Sequence, residues 1–342
     1  MNTQWMIKTH GDPLGTVREF TKLVWKTFDL ERMVVPTNGK AEDTGPHFID
    51  DSDGLEALSP CTPLMPINAA KLIPELLEKD SKKIGAMLRP CEMRTLFEMT
   101  KQNGLNTDKL LTLSVDCLGT LPTDEYQWRV ERKGSPKKLT QEALQFSRQG
   151  GIVRYRYRSA CQVCISPQAT KANINIGILG LPVRQHALIT INDESLAERL
   201  NMAEFAEGKI DADILEGHQR VIARLVQRSE NTRERIANGL AELLPENVAT
   251  LIEQFESCGD CSTCMDVCPL CDIHYPQRTE DGRFQESDVT RWLISCSGCG
   301  ICEQACPQHL PLTIIFNHIQ SQLAEEFDYQ AGISTDDLLP II

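Results

Sequence analysis

The chain has 342 residues, 41% of them hydrophobic and 24% charged, which is typical of a folded protein and excludes global disorder. The 35 Lys and Arg residues against 48 Asp and Glu give a net charge of −13, which argues against binding to nucleic acids or anionic membrane surfaces. With no signal-peptide pattern at the N-terminus and no apolar run long enough to span a bilayer, we expect a cytoplasmic protein of about two domains without membrane insertion.

Short apolar runs bounded by turn residues predict buried strands in the first part of the chain, which we interpret as an α/β domain over residues 1–192. The run Ile84–Leu88 is followed by Arg89-Pro90-Cys91 and a helical pattern over 92–103, and the run Leu110–Val115 is followed by Asp116-Cys117. This order predicts a βαβ unit with ligands at the carboxyl ends of its strands. Further strands are predicted over residues 33–36, 152–158, 174–179 and 187–191. In 152–158 apolar or aromatic residues alternate with arginines, as in a half-exposed strand.

From residue 193 to residue 257 the pattern is helical, and we interpret this segment as a helical connector. Within 218–243 an apolar stripe predicts the core-facing side of a helix, while the arginines predict a solvated face rather than a phosphate site. The apolar positions are Val221, Ile222, Leu225, Val226, Ile236 and Leu240, and the arginines are Arg220, Arg224, Arg228, Arg233 and Arg235. A compact cysteine-rich module over 258–312 follows, and then one helix and an acidic tail over 313–342.

Nine of the fourteen cysteines fall between Cys258 and Cys306, which indicates metal binding because disulfide frameworks are rare in a reducing compartment. The motif Cys258-x2-Cys261-x2-Cys264-x3-Cys268-Pro269 recurs with the same spacing as Cys296-x2-Cys299-x2-Cys302-x3-Cys306-Pro307. This is the pattern of bacterial-type ferredoxins with two [4Fe–4S] clusters, in which the fourth cysteine of each motif binds the other cluster. We therefore assign one cluster to Cys258, Cys261, Cys264 and Cys306, and the second to Cys268, Cys296, Cys299 and Cys302.

Two zinc ribbons are the alternative, but zinc would leave the third and fourth cysteines of each motif unexplained. Cys271 completes the spacing of a radical-SAM motif with Cys264 and Cys268. Only 71 residues follow it (342 − 271), too few for the barrel that such enzymes build, so we expect Cys271 to be a buried or spare thiol that binds no cluster.

Four further cysteines, Cys91, Cys117, Cys161 and Cys164, can meet at one edge of the predicted sheet and hold a third [4Fe–4S] cluster. Cys91 opens a helix, where the dipole favours a thiolate, and Cys117 ends the next strand. Scattered buried cysteines, a zinc site and a redox-active dithiol are the alternatives. Cys61 lies in a proline-rich loop and is expected not to be a ligand.

Four short stretches resemble one protein family: RPCEMR at 89–94, VDCLGT at 115–120, ACQVC at 160–164 and INIGILG at 174–180. Together they are similar to the beta subunits of deazaflavin (coenzyme F-420) hydrogenases and dehydrogenases, including formate dehydrogenase beta subunits. The resemblance covers roughly residues 10–190, and the ferredoxin module extends it to 312. It implies an α/β flavoprotein fold, one FAD, and a [4Fe–4S] cluster near the flavin that is held by Cys91, Cys117, Cys161 and Cys164.

Flavin contacts are harder to assign, since the chain has no G-x-G-x-x-G fingerprint. Asn38 and Gly39 after the strand at 33–36, and the segment from Gly177 to Gly180, are candidates, with ordinary turn chemistry as the alternative for each.

We expect an electron-transfer flavoprotein subunit, most similar to a formate dehydrogenase beta subunit, that connects a catalytic dehydrogenase or hydrogenase partner to a soluble carrier. The carrier would be a deazaflavin, a nicotinamide or ferredoxin. The alternative is a flavin-free iron–sulfur relay within a larger redox complex such as a heterodisulfide-reductase-type assembly. A zinc-stabilised binding module is a third hypothesis, which a brown purified protein would exclude.

Overall fold

A computed structural model describes residues 3–39, 43–79, 82–150, 156–206 and 212–340. The strands are β1 Thr3–Lys8, β2 Met33–Thr37, β3 Gly45–Ile49, β4 Ile84–Leu88, β5 Leu110–Val115, β6 Ile174–Gly177 and β7 His186–Ile191. The helices are α1 Pro13–Phe28, α2 Ile73–Lys79, α3 Pro90–Asn103, α4 Thr123–Lys133, α5 Pro136–Gln145, α6 Ser159–Gln162, α7 Glu194–Arg199, α8 Met202–Phe205, α9 Ala212–Gly239, α10 Val248–Phe255, α11 Thr263–Asp266, α12 Glu286–Ile294, α13 Ile301–Ala305 and α14 Leu312–Glu326. None of the helices in the described ranges combines the length and the apolar character that crossing a membrane would require.

The strands of the described residues form one mixed sheet in the order β1-β7-β6-β5-β4-β2-β3. Its four central strands, β2, β4, β5 and β6, run parallel to one another, while β3 at one edge and β7 and β1 at the other are antiparallel to their neighbours. The carboxyl ends of the central strands therefore lie at the same edge of the sheet, which is where α/β proteins place their sites.

Alternation along the central strands divides the apolar side chains between two cores, because successive residues of a strand point to opposite faces of the sheet. Met33, Val35 and Met87 join a core that α1 and α9 cover. Val34 and Ala86 join the other core, which contains residues of α3, α10, α12 and α14. The molecule is thus layered, with a sheet between two sets of helices.

The predicted α/β class is confirmed, and the strands Ile84–Leu88 and Leu110–Val115 have the predicted bounds. The strand predicted over 174–179 ends earlier, at Gly177, because the amides of Ile178 and Leu179 donate to the Asp116 carboxylate instead of continuing the ladder. Most of the strand predicted over 152–158 lies outside the described residues, and residues 156–158 are not in a strand.

The helical segment after residue 193 packs directly on the sheet domain. Leu225 of α9 is buried in the first core, and Val221 and Ile222 pack against it, as the apolar stripe predicts. Four of the five arginines named for the solvated face are exposed, whereas Arg233 is half-buried beside Cys164 in a surface groove.

Gly180 sets the distance between α9 and the sheet edge. Its backbone has a φ of +73°, and a Cβ there would lie 3.0 Å from the Gly217 carbonyl oxygen and 3.0 Å from the His218 Cα. From the helix side, the buried His218 donates from Nδ1 to the Leu179 carbonyl over 2.6 Å. Glycine is therefore required at position 180 because of the positive φ and because α9 leaves no space for a Cβ.

The segment after residue 258 shares the second core with the sheet. Trp292 and Phe316 pack edge to face at 5.1 Å in the same cluster as Leu88. Arg94 of α3 donates from Nη2 to the Ser297 carbonyl at 2.8 Å, so polar contacts also join the two parts.

A buried carboxylate attaches the C-terminal segment to α3. Glu98 is completely buried, accepts from the Tyr329 hydroxyl and the Gly332 amide, each at 2.6 Å, and pairs with Lys101. The end of the chain is therefore anchored to the sheet domain by charge-assisted hydrogen bonds.

Replacing Gly180 by alanine should destabilise the protein by about 1–2 kcal/mol, since the positive φ disfavours a Cβ and the helix leaves it no space. The matched control is Gly217→Ala on α9, where a Cβ would have no neighbour within 4 Å and should stabilise the helix by about 0.5–1 kcal/mol. Urea unfolding of both variants, followed by circular dichroism, measures the difference. Equal stability of the two variants would show that the contact between α9 and Gly180 does not matter.

Candidate functional site

The carboxyl edge of the sheet brings four cysteines together, here called the third cysteine group: Cys91, Cys117, Cys161 and Cys164. Cys91 lies in the first turn of α3 directly after β4, and one residue, Asp116, separates Cys117 from the end of β5. The short helix α6 carries Cys161, and Cys164 follows its end. All four side chains line one cavity.

The C-terminal module contains two further groups. The second cysteine group, Cys268, Cys296, Cys299 and Cys302, lines a cavity under Trp292 and Phe316. The first cysteine group consists of Cys258, Cys261, Cys264 and Cys306, and its thiols lie close enough for three of them to raise the pKa of Cys264. Cys268 of the first motif lines the cavity of the second group, and Cys306 of the second motif acts on Cys264 of the first group. The crossed assignment of ligands to two clusters stays a prediction.

The second and third groups share a wall. Cys299 lines both cavities, together with four thiols of the third group on one side and three thiols of the second on the other. The approach depends on Gly300, because a Cβ at this position would lie 2.3 Å from the Ala160 Cβ on α6. Cys264 of the first group and Cys268 of the second also interact electrostatically, which indicates that these two groups are neighbours.

Most of these thiols are held neutral by their surroundings. Burial, reinforced by the neighbouring thiols, raises the pKa of Cys117, Cys264 and Cys296 to about 12. The same causes raise the pKa of Cys302 and, with the carboxylate of Glu92, that of Cys91. Crowded buried thiols of this kind ionise only when a cationic group neutralises them, so the donor set fits a metal cluster.

Three thiols behave differently because they have specific partners. A hydrogen bond from Cys271 lowers the pKa of Cys268 to about 7. Burial acts to raise the pKa of Cys161, but the Arg158 guanidinium and the Thr120 hydroxyl outweigh burial and lower it. Hydrogen bonds from Thr263 lower the pKa of Cys261.

The arrangement within each group is wider than a site for one ion. Within the described ranges, no three His, Cys, Asp or Glu side chains are placed to hold a single metal ion. In a [4Fe–4S] cluster each cysteine binds a different iron atom, so its thiols surround a cavity, as those of the second and third groups do.

Both cysteines predicted not to be ligands are buried. Cys271 is 2% exposed and directly contacts Cys268 without lining the cavity of the second group. Cys61 lies in the first core, where burial raises its pKa to about 12, and it does not line the cavity of the third group.

Asp116 holds the loops around the third group in place. Its buried carboxylate accepts from the amides of Ala169, Ile178 and Leu179 at 2.8–3.0 Å. Burial raises the pKa of Asp116, while His218 and these three amides oppose the rise. The neighbouring Cys117 amide donates to the Pro167 carbonyl at 2.8 Å, which fixes the Cys117 backbone within the same set of loops.

The flavin candidates divide into two kinds. Gly177 and Gly180 face Leu188 and α9, so packing accounts for both glycines, and their role as flavin contacts stays a prediction. Asn38 donates from Nδ2 to the Thr140 hydroxyl at 3.1 Å, while its buried Oδ1 has no hydrogen-bond partner in the described part of the chain. A Cβ on Gly39 would lie 3.0 Å from the Asp43 Cβ.

Two residues of the site were not identified from the sequence as site residues. Asp116 was noted only as the neighbour of Cys117. Arg158 was predicted to lie on the exposed side of a strand, which is wrong, because it precedes α6 and is only 6% exposed. Its backbone amide pairs with the Thr120 carbonyl, and this contact turns the side chain inward.

Comparison with known proteins identifies relatives over most of the chain. The F420-dependent formate dehydrogenase subunit beta of Methanocaldococcus jannaschii is 24% identical over 335 residues, covering 86% of this chain and 84% of the relative. The F420-dependent formate dehydrogenase 1 subunit beta of Methanococcus maripaludis is 25% identical over 338 residues, covering 87% and 84%. The resemblance seen in the four short stretches is confirmed, and these relatives are subunits of oxidoreductases.

Other comparisons add less. The acetyl-CoA decarbonylase/synthase complex subunit alpha 1 of Methanosarcina barkeri is 27% identical over 169 residues, which is 47% of this chain and 20% of that protein. A chain of the F420-reducing nickel–iron hydrogenase complex of Methanosarcina barkeri superposes with a TM-score of 0.49 at 14% identity, covering 69% of this chain and 91% of that one. No protein-family model matches the sequence.

Replacing Asp116 by asparagine should cost about 1–3 kcal/mol of stability, because an amide cannot accept from three backbone N–H groups as a carboxylate does. Hydrogen exchange of the Ile178 and Leu179 amides, read by mass spectrometry, should accelerate locally. Asp108→Asn at an exposed position is the control. Unchanged exchange at 178–179 in the Asp116 variant would contradict this role.

Proposed function

We propose that the chain is an iron–sulfur electron-transfer subunit, similar to a formate dehydrogenase beta subunit, that works in the cytoplasm. It passes electrons between a catalytic dehydrogenase or hydrogenase partner and a soluble carrier of the deazaflavin type. The observation that carries the proposal is that the cavities of the second and third four-cysteine groups share Cys299 as a common wall. The similarity to beta subunits over 86–87% of the chain supports the proposal. In this proposal the partner subunit oxidises the primary substrate.

Each cysteine group would hold one [4Fe–4S] cluster, the first and second groups forming a ferredoxin module over 258–312. When bound, such clusters carry single electrons, and a flavin such as FAD exchanges them for the hydride of a deazaflavin or nicotinamide. The FAD is proposed from the family resemblance of the four short stretches. Asn38, at the carboxyl end of β2, is the flavin contact that the described residues favour, because its buried Oδ1 has no hydrogen-bond partner among them.

The chain's own groups prepare these sites for negative charge. The Gly119 amide donates to the Cys117 sulfur and the Gly298 amide donates to the Cys296 sulfur, each at 3.4 Å. Hydrogen bonds to ligand sulfurs stabilise the more negative, reduced state and raise the reduction potential. The thiols of the second and third groups are buried or half-buried, and the limited access of water strengthens these interactions.

The proposal is tested by measuring iron, acid-labile sulfide and flavin per chain on protein purified without oxygen. Three clusters and one flavin site predict about 12 iron and about one flavin. About 8 iron without flavin would reject both the third cluster and the hydride site, and would support the flavin-free relay.

Cys268 and Cys271 provide a matched pair of variants, since both are buried and their thiols are in contact. Cys268→Ala should lose about four iron, because it removes a ligand of the second group, whereas Cys271→Ala should keep the full iron content. Iron analysis together with electron paramagnetic resonance of the reduced protein checks both. Loss of iron from the Cys271 variant would overturn the ligand assignment.

A further inference from the structure

A buried arginine lies where the second and third cysteine groups meet. Arg158 is 6% exposed and lines the same cavity as the third group and Cys299. Its Nη2 lies 3.9 Å from the Cys161 sulfur, and Nε donates to the Thr120 hydroxyl at 2.8 Å. The Thr120 oxygen is in turn 3.2 Å from the Cys161 sulfur, so two routes lead from the guanidinium to this thiol.

The charge of this arginine is not used by the fold. Among the ion pairs of the described residues none joins Arg158 to a carboxylate, and its buried Nη1 has no hydrogen-bond partner in that part of the chain. Within the described residues the hydrogen-bond contacts of Nη2 are with two sulfur atoms, that of Met65 at 3.3 Å and that of Cys161. An uncompensated buried charge destabilises a protein by several kcal/mol. We therefore expect a negatively charged group to occupy the cavity beside Arg158.

The groups that face the guanidinium are thiols. Cys161, Cys91 and Cys299 line the same cavity as Arg158, and they come from α6, from α3 and from the C-terminal module. Two of the three belong to the third group and one to the second. Arginine is suited to this position because it remains charged at any physiological pH and offers several donors in a fixed plane.

We propose that Arg158 is a positioning residue that sets the reduction potential of the third cluster, by holding a permanent positive charge and a free N–H donor against its ligands. The inference rests on the proposed function, because it requires a cluster on Cys91, Cys117, Cys161 and Cys164. A fixed positive charge stabilises the additional electron of the reduced cluster and so raises its reduction potential, as is general for iron–sulfur clusters. Through Cys299 it also acts, more weakly, on the second cluster.

The test is a redox titration of the full-length chain without oxygen, followed by electron paramagnetic resonance, with the third cluster identified by the signal that Cys164→Ala removes. Arg158→Gln should lower the potential of the third cluster by at least 59 mV, equivalent to a tenfold change for one electron. The same variant should lower the potential of the second cluster by a smaller amount. Arg158→Lys, which keeps the charge, should shift the third cluster by less than Arg158→Gln.

The control is Arg156→Gln, two residues away, where the arginine is 45% exposed and pairs with Glu125 at the surface. About 12 iron in the Arg158→Gln protein would show that it folds and binds all clusters. Equal potentials in the Arg156→Gln and Arg158→Gln proteins would overturn the proposal for Arg158 and leave the proposed function intact.

Two further outcomes are informative. If Arg158→Gln loses the third cluster, the lysine variant decides, since a role of the charge requires Arg158→Lys to keep about 12 iron. Loss of the third cluster from both variants would show that the shape of the Arg158 side chain, and not its charge, is needed to bind the cluster. A wild-type protein with only about 8 iron would reject the third cluster itself, and with it the proposed function.

Discussion

The contact between Gly300 and Ala160 is the constraint on which the arrangement of the cysteines depends. A side chain at Gly300 would overlap the Ala160 Cβ, so the two backbones approach only because this residue has none. Gly300 follows Cys299, and Ala160 precedes Cys161, so the same contact brings thiols from the C-terminal module and the sheet domain to one wall. If these segments stood apart, the third group would be separated from the second and their cavities would not share Cys299.

The proximity that joins the groups also creates an electrostatic problem. Many thiols lie in a poorly hydrated interior, where each ionised sulfur disfavours ionisation of the next. The fold offers some compensation through backbone amides, through hydroxyl groups and through arginines near the thiols, among them the buried Arg158 at the junction of two groups. Bound iron would supply the remaining positive charge, which is why the thiol crowding and the proposed clusters are physically consistent.

Residues that are not proposed as cluster ligands fix the backbone at this edge of the sheet. Asp116 ends β6 by capturing two of the amides that would continue the strand, and a third amide from the loop at residue 169. His218 and Gly180 then seat α9 on that edge. The positions of Cys117 and of the loop after Cys164 therefore depend on the neighbouring carboxylate of Asp116, and on an imidazole and a glycine that are distant in sequence. Such supporting groups make a site precise because they restrict its backbone.

Local constraints could be predicted from the sequence alone. Spacing of two and three residues predicts which cysteines would wrap one cluster, and apolar runs predicted β4 and β5 with their observed bounds. Helix α1 was missed although Asp12 before Pro13 and its apolar period signal a helix start, so that omission was one of interpretation. Only the tertiary structure shows that Cys299 borders two cavities and that Arg158 is buried. Alternation of residue types along the chain distinguishes the two faces of a strand, but it does not say which face another segment covers. Ligand sets thus follow from short-range geometry, whereas their mutual arrangement and their charges depend on long-range packing.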